Sequence, residues 1–144
     1  MSRLLGLFAL SLSIFFPLLV TAGTRLSAEY KLTGHIYRGS VIPPFNPNLN
    51  LTWTFFENGT DRLYWDRKGE IGFCERFANY TIENEQITEV VFAANPNNSF
   101  ECSKDPDMLV GRKTTTKFKI VEQQLLLYLQ LGDEELVYIF KEIQ

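Results

Sequence analysis

The sequence predicts an all-β fold, most simply an eight-stranded antiparallel up-and-down β-barrel. Strand-forming runs lie on both sides of Asn58-Gly59, which is a strong signal for a β-hairpin. Comparable runs recur about once every 12 to 15 residues, a spacing typical of all-β domains. No helical period follows the apolar N-terminal segment, so an α-helical fold is not indicated.

The central hairpin has the clearest alternation in the chain. Leu51, Trp53 and Phe55 alternate with polar residues in its first arm, and Leu63 and Trp65 do so in its second. Successive side chains of a strand point to opposite faces, so each arm has one apolar face. Asn and Gly both tolerate positive φ, and the pair between the arms therefore predicts a type I′ turn.

The remaining strands follow the same pattern with mostly short connections. Two connections are irregular: Val41–Asn48, which contains three prolines that cannot join a ladder, and the long segment Ser99–Gly111. The eight predicted strands are Leu26–Tyr37, the two arms of Asn50–Arg67, Phe73–Ile82, Ile87–Ala94, Lys113–Val121, Leu125–Leu131 and Glu135–Lys141.

A closed barrel accounts for these strands better than an open sheet. A flat antiparallel sheet leaves two open edges, and closure into a barrel removes both. The 12 Phe and 6 Tyr residues suit the interior of a small barrel. A two-sheet β-sandwich is the alternative, because the sequence pattern separates the two architectures poorly.

The N-terminal segment has the features of a secretory signal peptide. Arg3 provides a basic start, Leu4–Val20 is apolar, and Val20-Thr21-Ala22 places small residues at a cleavage position. A transmembrane anchor is the alternative, but the run is slightly short and lacks a basic flank after it. We therefore expect a signal peptide at residues 1–22, one domain at residues 23–144, and a secreted or periplasmic product without an integral membrane segment.

The charge balance argues against polyanionic partners. The chain has 14 Lys and Arg against 17 Asp and Glu, a net charge of −3, and removal of Arg3 with the leader makes it −4. A mildly acidic protein gains nothing from a phosphate backbone, so nucleic acid is not an expected partner. No basic run indicates binding to an anionic membrane surface.

Cys74 and Cys102 are the only two cysteines. In an exported protein two cysteines usually form a disulfide bond. The bond closes a loop of about 29 residues, which is worth roughly 3.5 kcal/mol in the chain-entropy model. A reactive thiol is the alternative, but CxxC is absent and neither cysteine has a histidine nearby in the sequence.

The order of elements resembles lipocalin-like domains of the calycin group. The resemblance depends on the N-terminal strand, the Trp-bearing hairpin and the closing pair QLLLYLQLGDEELVYIFK, and it covers most of residues 26 to 142. The Gly-x-Trp sequence that lipocalins carry in their first strand is absent, because Gly34-His35-Ile36 has no Trp. The resemblance implies a barrel able to hold a small apolar ligand, but it transfers no binding residue.

No catalytic or cofactor motif is present. GxSxG, HExxH, GxGxxG and the P-loop are absent, and His35 is the only histidine, which excludes a site with two imidazoles in one chain. Glu101, Asp105 and Asp107 could offer oxygens to calcium, but they do not fit the EF-hand pattern and are better explained as a solvated acidic loop. We predict no catalytic residue, no metal and no cofactor.

The polar row Arg62, Tyr64 and Asp66 has two interpretations. If Trp65 faces the core, this row is solvated. If Trp65 faces outward, the row points inward and needs partners such as Glu75 or Arg76, which would give an apolar cavity a polar floor. The ligand-binding candidates are Trp53, Arg62, Tyr64, Trp65, Glu75 and Arg76.

Three functional hypotheses remain. The first is a binding protein that holds a small hydrophobic ligand in its barrel. The second is an interaction module with a filled barrel, which binds another exported protein through the Pro43-Pro44 loop or exposed aromatic residues. An enzyme that uses Glu75, Asp66 and His35 ranks last. Four N-x-S/T sequons are open to glycosylation in a eukaryotic secretory route: Asn50, Asn58, Asn79 and Asn97.

Overall fold

The computed structural model describes residues 26–143, so the predicted signal peptide lies outside the described residues. The described part contains nine β-strands and two short 3₁₀ helices, η1 and η2, between the sixth and seventh strands. The strands are β1 Ala28–Tyr37, β2 Ser40–Ile42, β3 Leu49–Phe55, β4 Thr60–Arg67, β5 Phe73–Glu83, β6 Gln86–Ala94, β7 Lys113–Val121, β8 Gln124–Leu131 and β9 Glu134–Ile143; the helices are η1 Phe100–Lys104 and η2 Pro106–Met108.

Eight of the strands form a closed antiparallel barrel. Their order is β1-β3-β4-β5-β6-β7-β8-β9, and β9 closes the ring against β1 from Glu29↔Ile143 to Tyr37↔Leu136. The predicted eight-stranded barrel is therefore confirmed, and the sandwich alternative is excluded. Closure follows from the strand patterns, because every strand can present one apolar face to a common interior.

The ninth strand, β2, is absent from the sequence-based prediction. It pairs with the end of β1, from Tyr37↔Ser40 to His35↔Ile42. Its last two residues fall within Val41–Asn48, which the prolines led us to predict as a loop. The prolines begin only at Pro43, so the three residues before them keep backbone N–H groups that can join a ladder.

The turn predicted at Asn58-Gly59 is of a different type. The N–H of Gly59 donates to the carbonyl of Phe56 at 3.1 Å, and the N–H of Phe56 donates to the carbonyl of Thr60 at 2.9 Å. Gly59 has a φ of 82°, whereas Asn58 does not enter the positive region. This is a three-residue loop with glycine in the left-handed conformation, so the type I′ prediction is wrong. Both central residues have positive φ in the two-residue turn at Asn84-Glu85 instead.

The two ends of the barrel differ. The tight turns β3–β4, β5–β6 and β7–β8 lie at what we call the closed end, and the longer connections lie at the opposite, loop end. At the closed end the interior is filled by buried side chains, and the hydroxyl of Tyr80 donates to the carbonyl of Leu26 at 2.8 Å. The filling residues include Leu26, Tyr30, Phe55, Tyr80, Ile87, Phe118 and Leu125.

The predicted disulfide bond is present between Cys74 and Cys102. It joins the start of β5 to η1 and packs with Met108 of η2 against Leu63 and Trp65. The long connection between β6 and β7 is therefore fixed at the loop end of the barrel. Within residues 26–143, no helix is both long and apolar enough to cross a membrane.

Candidate functional site

The barrel is hollow in its loop-end half. A cavity of about 470 Å³ lies there, open to solvent, with a largely apolar wall. Its apolar lining comes from five strands and includes Leu51, Trp53, Leu63, Val91, Leu127 and Phe140. Alternation in each strand explains this, because every second residue of the apolar phase faces the common interior. Asp107, Arg112 and Lys113 belong to the same lining and come from the long connection and the start of β7.

The wall has a break between β7 and β8 that reaches the cavity. Their ladder ends at Lys117↔Tyr128, so residues 114–116 of β7 do not pair with residues 129–131 of β8. The cavity lining includes Thr114, Thr115 and Thr116 on one side of this break and Leu129 on the other. Neighbouring strand residues point to opposite faces, so a cavity in contact with Thr115 as well as Thr114 extends into the wall at the break.

A buried polar cluster, which consists of Asp61, Arg76 and Glu89, lies against the apolar wall. One guanidinium nitrogen of Arg76, Nη1, donates to Asp61 Oδ1 and the other, Nη2, donates to Glu89 Oε1. Trp53 Nε1 donates to the same oxygen of Asp61 at 3.0 Å. Exposure is 0% for Asp61, 4% for Arg76 and 5% for Glu89, so little solvent reaches these charges.

The cluster holds fewer charges than its residue types suggest. Burial and, to a smaller extent, the Asp61 charge raise the pKa of Glu89 to about 7 in spite of the Arg76 guanidinium. Burial also raises the pKa of Asp61, and Arg76 offsets this only in part. Below about pH 7 the Glu89 carboxyl group therefore holds a proton, which removes one negative charge from beside Arg76.

The hydrogen bonding of the cluster is incomplete. Among the described residues, no side chain or backbone group donates to Asp61 Oδ2, and none accepts from Arg76 Nε. The second oxygen of Glu89 is reached only by the Thr114 hydroxyl, at 3.5 Å. Buried polar atoms without partners are uncommon in folded proteins, and at a cavity they mark positions where a bound molecule can supply the missing contact.

The structure separates the six predicted ligand-binding candidates. Trp53 and Arg76 line the cavity. Arg62 and Tyr64 lie on the outer face with Glu75, because cross-strand partners share a face and Tyr64 pairs with Glu75. The first interpretation of the polar row therefore holds, since Leu63 and Trp65 take the inward phase and the row points away from the cavity.

Trp65 lies at the loop end but is not part of the cavity lining. It contacts the disulfide cluster, and the Arg67 guanidinium lies 4.8 Å from the centre of its ring. Leu63, two residues earlier on β4, continues the same inward face and does line the cavity. The Trp65 ring thus supports the long connection and the disulfide bond on the barrel wall.

Glu75 is buried although it lies on the outer face. Arg62 Nε donates to its carboxylate at 2.5 Å, Asn95 Nδ2 donates at 2.5 Å, and the Asn98 side chain accepts from its backbone N–H at 2.8 Å. The Asn95 and Arg62 hydrogen bonds and the Arg62 charge together lower the pKa of Glu75, against the effect of burial. This arrangement fixes the start of the long connection to β5.

The structure gives His35 and the acidic residues of the long connection partners within the protein. His35 packs between Phe45 and Tyr138, at ring-centre distances of 4.4 and 4.5 Å, and burial lowers its pKa. In the long connection, Asp105 accepts from the N–H of Asp107, while Glu101 pairs with Lys104. Within residues 26–143, no group of three or more His, Cys, Asp or Glu side chains is arranged to hold a metal ion.

Sequence reasoning missed Asp61 and Glu89. Both occur at positions where the alternation calls for an apolar residue: Asp61 is in phase with Leu63, and Glu89 lies between Ile87 and Val91 in the inward phase. A charged residue in the apolar phase of a strand is costly unless it is paired. That mismatch is the signal in the sequence that could have identified Asp61 and Glu89. Arg76, in the same phase of β5, is the one residue of the cluster among the ligand-binding candidates predicted from sequence.

Two solved structures are similar to this chain in fold. A lipocalin-like protein from Bacteroides uniformis superimposes on this chain with a TM-score of 0.54, over 82% of this chain and 98% of that one, at 18% identity. The chain has a lipocalin-like fold. An uncharacterized protein from Bacteroides eggerthii superimposes with a TM-score of 0.50, over 81% and 98% of the two chains, at 14% identity.

The lipocalin-like fold confirms the resemblance drawn from the sequence. No family model matches the chain, and no match was found among curated proteins. At 14% and 18% identity the two likenesses establish the fold and nothing about a ligand. A lipocalin-like barrel with an open cavity is suited to holding a small molecule, and the case for that function depends on the cavity itself.

Proposed function

We propose that this protein is a secreted or periplasmic binding protein that holds a small hydrophobic molecule in the loop-end half of its barrel. The observation that supports the proposal is the apolar cavity of about 470 Å³. Small-molecule sites typically have volumes of roughly 300–1,000 Å³ and a mainly apolar lining with a few polar groups. Trp53 and Arg76, two of the candidates from sequence, supply an aromatic wall and a polar contact.

Export is the second part of the proposal. The predicted signal peptide at residues 1–22 supports it from sequence. The disulfide bond between Cys74 and Cys102 supports it from structure, because such bonds persist mainly in oxidising compartments.

The two alternatives account for the structure less well. An interaction module with a filled barrel does not need the cavity, although Phe45 beside Pro43-Pro44 is exposed enough for a protein partner. An enzyme would need a reactive group at the cavity, and Glu89, the carboxyl group of the cluster that lines it, already accepts a hydrogen bond from Arg76. The filled-barrel alternative leaves the open apolar cavity unexplained.

A binding assay with a matched pair of variants tests the proposal. The neutral fluorophore Nile red should bind saturably to the purified mature protein, and native mass spectrometry should show one molecule per chain. Leu129→Trp places a larger side chain in the cavity and should weaken binding by at least about tenfold, which corresponds to about 1.4 kcal/mol. Leu131→Trp, on the same strand but exposed, is the control.

The two variants also distinguish binding in the cavity from adventitious binding at the surface. Equal loss in the two variants, or binding that never saturates, would overturn the proposal. Unchanged binding in Leu129→Trp would do the same, because a tryptophan there removes much of the space on that side of the wall.

A further inference from the structure

We infer that the cavity selects a hydrophobic molecule with a cationic end, such as a long-chain amine, whose ammonium group pairs with Glu89. The inference rests on the proposed function and specifies its ligand class. It starts from the Asp61, Arg76 and Glu89 cluster, in which two of the four carboxyl oxygens lack a close donor. The two guanidinium nitrogens and the indole N–H donate to Asp61 Oδ1 and Glu89 Oε1, and the Thr114 hydroxyl lies 3.5 Å from Glu89 Oε2.

The missing contact at Glu89 and Asp61 is a donor. Asp61 Oδ2 receives no hydrogen bond within the described residues, and Glu89 Oε2 has only the 3.5 Å contact from Thr114. Glu89 lines the cavity, so a ligand group can reach it. An ammonium group offers three donors and no acceptor, which matches this deficit.

The charges around Glu89 disfavour an anionic end. Arg76 is already engaged by both carboxyl groups, so a ligand carboxylate would compete with Asp61 and Glu89 for one guanidinium. Asp107, Arg112 and Lys113 also line the cavity, but all three are exposed, and water screens their charges. The free Arg76 Nε–H would accommodate a neutral acceptor, and the test therefore includes an alcohol.

The aromatic part of the wall suits a cation as well. Trp53, Tyr138 and Phe140 line the same cavity as Glu89. The face of an aromatic ring attracts a cation electrostatically, by about 0.5–2 kcal/mol depending on how far water is excluded. An amine whose chain follows the apolar wall can therefore place its charged end between a carboxylate and aromatic faces.

Below about pH 7, binding of an amine releases one proton to solvent. In this range Glu89 holds a proton in the free protein, and the ligand arrives as an ammonium ion. When the ammonium pairs with Glu89, the carboxyl proton leaves to water and the carboxylate and ammonium form the ion pair, so charge and protons balance. The titratable and charged groups that face or act on Glu89 are Asp61 from β4, Arg76 from β5 and Asp107 from η2; Arg112, Lys113 and Tyr138 share its cavity.

Three probes with the same chain and different ends test the inference: dodecylamine, dodecanol and dodecanoate, each below its aggregation concentration. At about pH 7.5, isothermal titration calorimetry should show dodecylamine binding at least about tenfold more tightly than the other two. Glu89→Gln should remove this preference while dodecanol binding stays the same. Glu101→Gln, an exposed carboxyl at the same end of the barrel, should keep it.

The wild-type protein provides a second readout that needs no variant. The pKa of Glu89 is about 7, so amine affinity should fall as the pH is lowered from about 8 to about 5, by up to tenfold per pH unit below 7. Titrations at about pH 6 in two buffers of different ionisation enthalpy should show release of close to one proton per amine bound.

The outcomes separate this inference from the proposed function. If dodecanol or dodecanoate binds in the cavity as tightly as dodecylamine, the inference is wrong and the binding function stands. If the amine binds without proton release or pH dependence, the inference is also wrong, because the carboxyl group is then not its partner. If none of the three probes binds, both the inference and the proposed function fail.

Discussion

Replacing Glu89 with glutamine should change how the stability of the domain depends on pH. The Glu89 pKa is raised from an ordinary value of 4.5 to about 7 because the carboxyl group is buried beside Asp61. The folded state therefore holds a proton that the unfolded chain releases near pH 4.5. The contribution is fully present below that pH and is lost as the pH rises through about 7.

The size of the effect follows from the two values. The difference between 4.5 and about 7 corresponds to about 3 kcal/mol of unfolding free energy, a large share of the stability of a small domain. Urea unfolding at about pH 5 and about pH 8, followed by tryptophan fluorescence, should show this loss in the wild-type protein. Glu89→Gln keeps the shape and the donor of the protonated acid, so it should be the more stable protein at about pH 8.

The comparison between the two proteins isolates Glu89 from other titrating groups. His35 acts in the opposite direction, because its lowered pKa makes stability rise with pH, and it is present in both proteins. Glu101→Gln is the control, and its difference from wild type should be the same at both pH values. A constant difference between wild type and Glu89→Gln from about pH 5 to pH 8 would refute the assignment of a buried, proton-binding carboxyl at this position.

Three further predictions concern the disulfide bond, the first strand and the outer face. Replacing both Cys74 and Cys102 with alanine should lower the unfolding free energy in urea by about 3–4 kcal/mol, and a loss below about 1 kcal/mol would contradict the entropic role of the 28-residue separation. Gly34→Ala brings a Cβ atom to within 2.7 Å of the Ile42 carbonyl oxygen. It should cost about 1–3 kcal/mol and speed amide hydrogen exchange in β2, whereas unchanged exchange would refute the close contact. Tyr64→Ala on the outer face should change the Nile red dissociation constant by less than about twofold, and a larger change would return Tyr64 to the binding site.

The strands were predictable from sequence because almost every one has an inward and an outward face. Leu51, Trp53 and Phe55 show this in β3, and their predicted apolar face is the one that packs inside the barrel. The short strand β2 was not predictable in the same way, because three residues are too few to show alternation. Its position depends on Gly34, whose lack of a side chain lets the Ile42 backbone approach.

Local propensity predicted turn positions better than turn types. Asn58-Gly59 was expected to have positive φ at both residues, but the loop has three residues and only its glycine takes that conformation. Glu122-Gln123 takes positive φ at both positions, 48° and 65°, although neither residue favours it. A two-residue connection between twisted antiparallel strands imposes this geometry, so register outweighs residue preference there.

The cavity and its polar cluster could be predicted only in part. Arg76 was identified as a charged residue that needs partners, but Asp61 and Glu89 lie 15 and 13 residues away from it on two different strands. Their contact depends on the registers of β4, β5 and β6, which one sequence does not specify. Whether the barrel is filled or hollow also depends on side-chain volumes summed over eight strands, and alternation carries no information about that sum.

The ladder between β7 and β8 stops at Lys117↔Tyr128, and we call the unpaired part of the barrel wall beyond it the seam. A second break, between β1 and β3 beyond Lys31↔Thr52, is bordered by β2, which pairs with the freed end of β1. At the seam between β7 and β8, moving the strands apart separates Thr114–Thr116 from Leu129–Leu131 without breaking a ladder hydrogen bond. Widening of the barrel at this position would therefore disrupt side-chain contacts and leave the β7–β8 ladder intact.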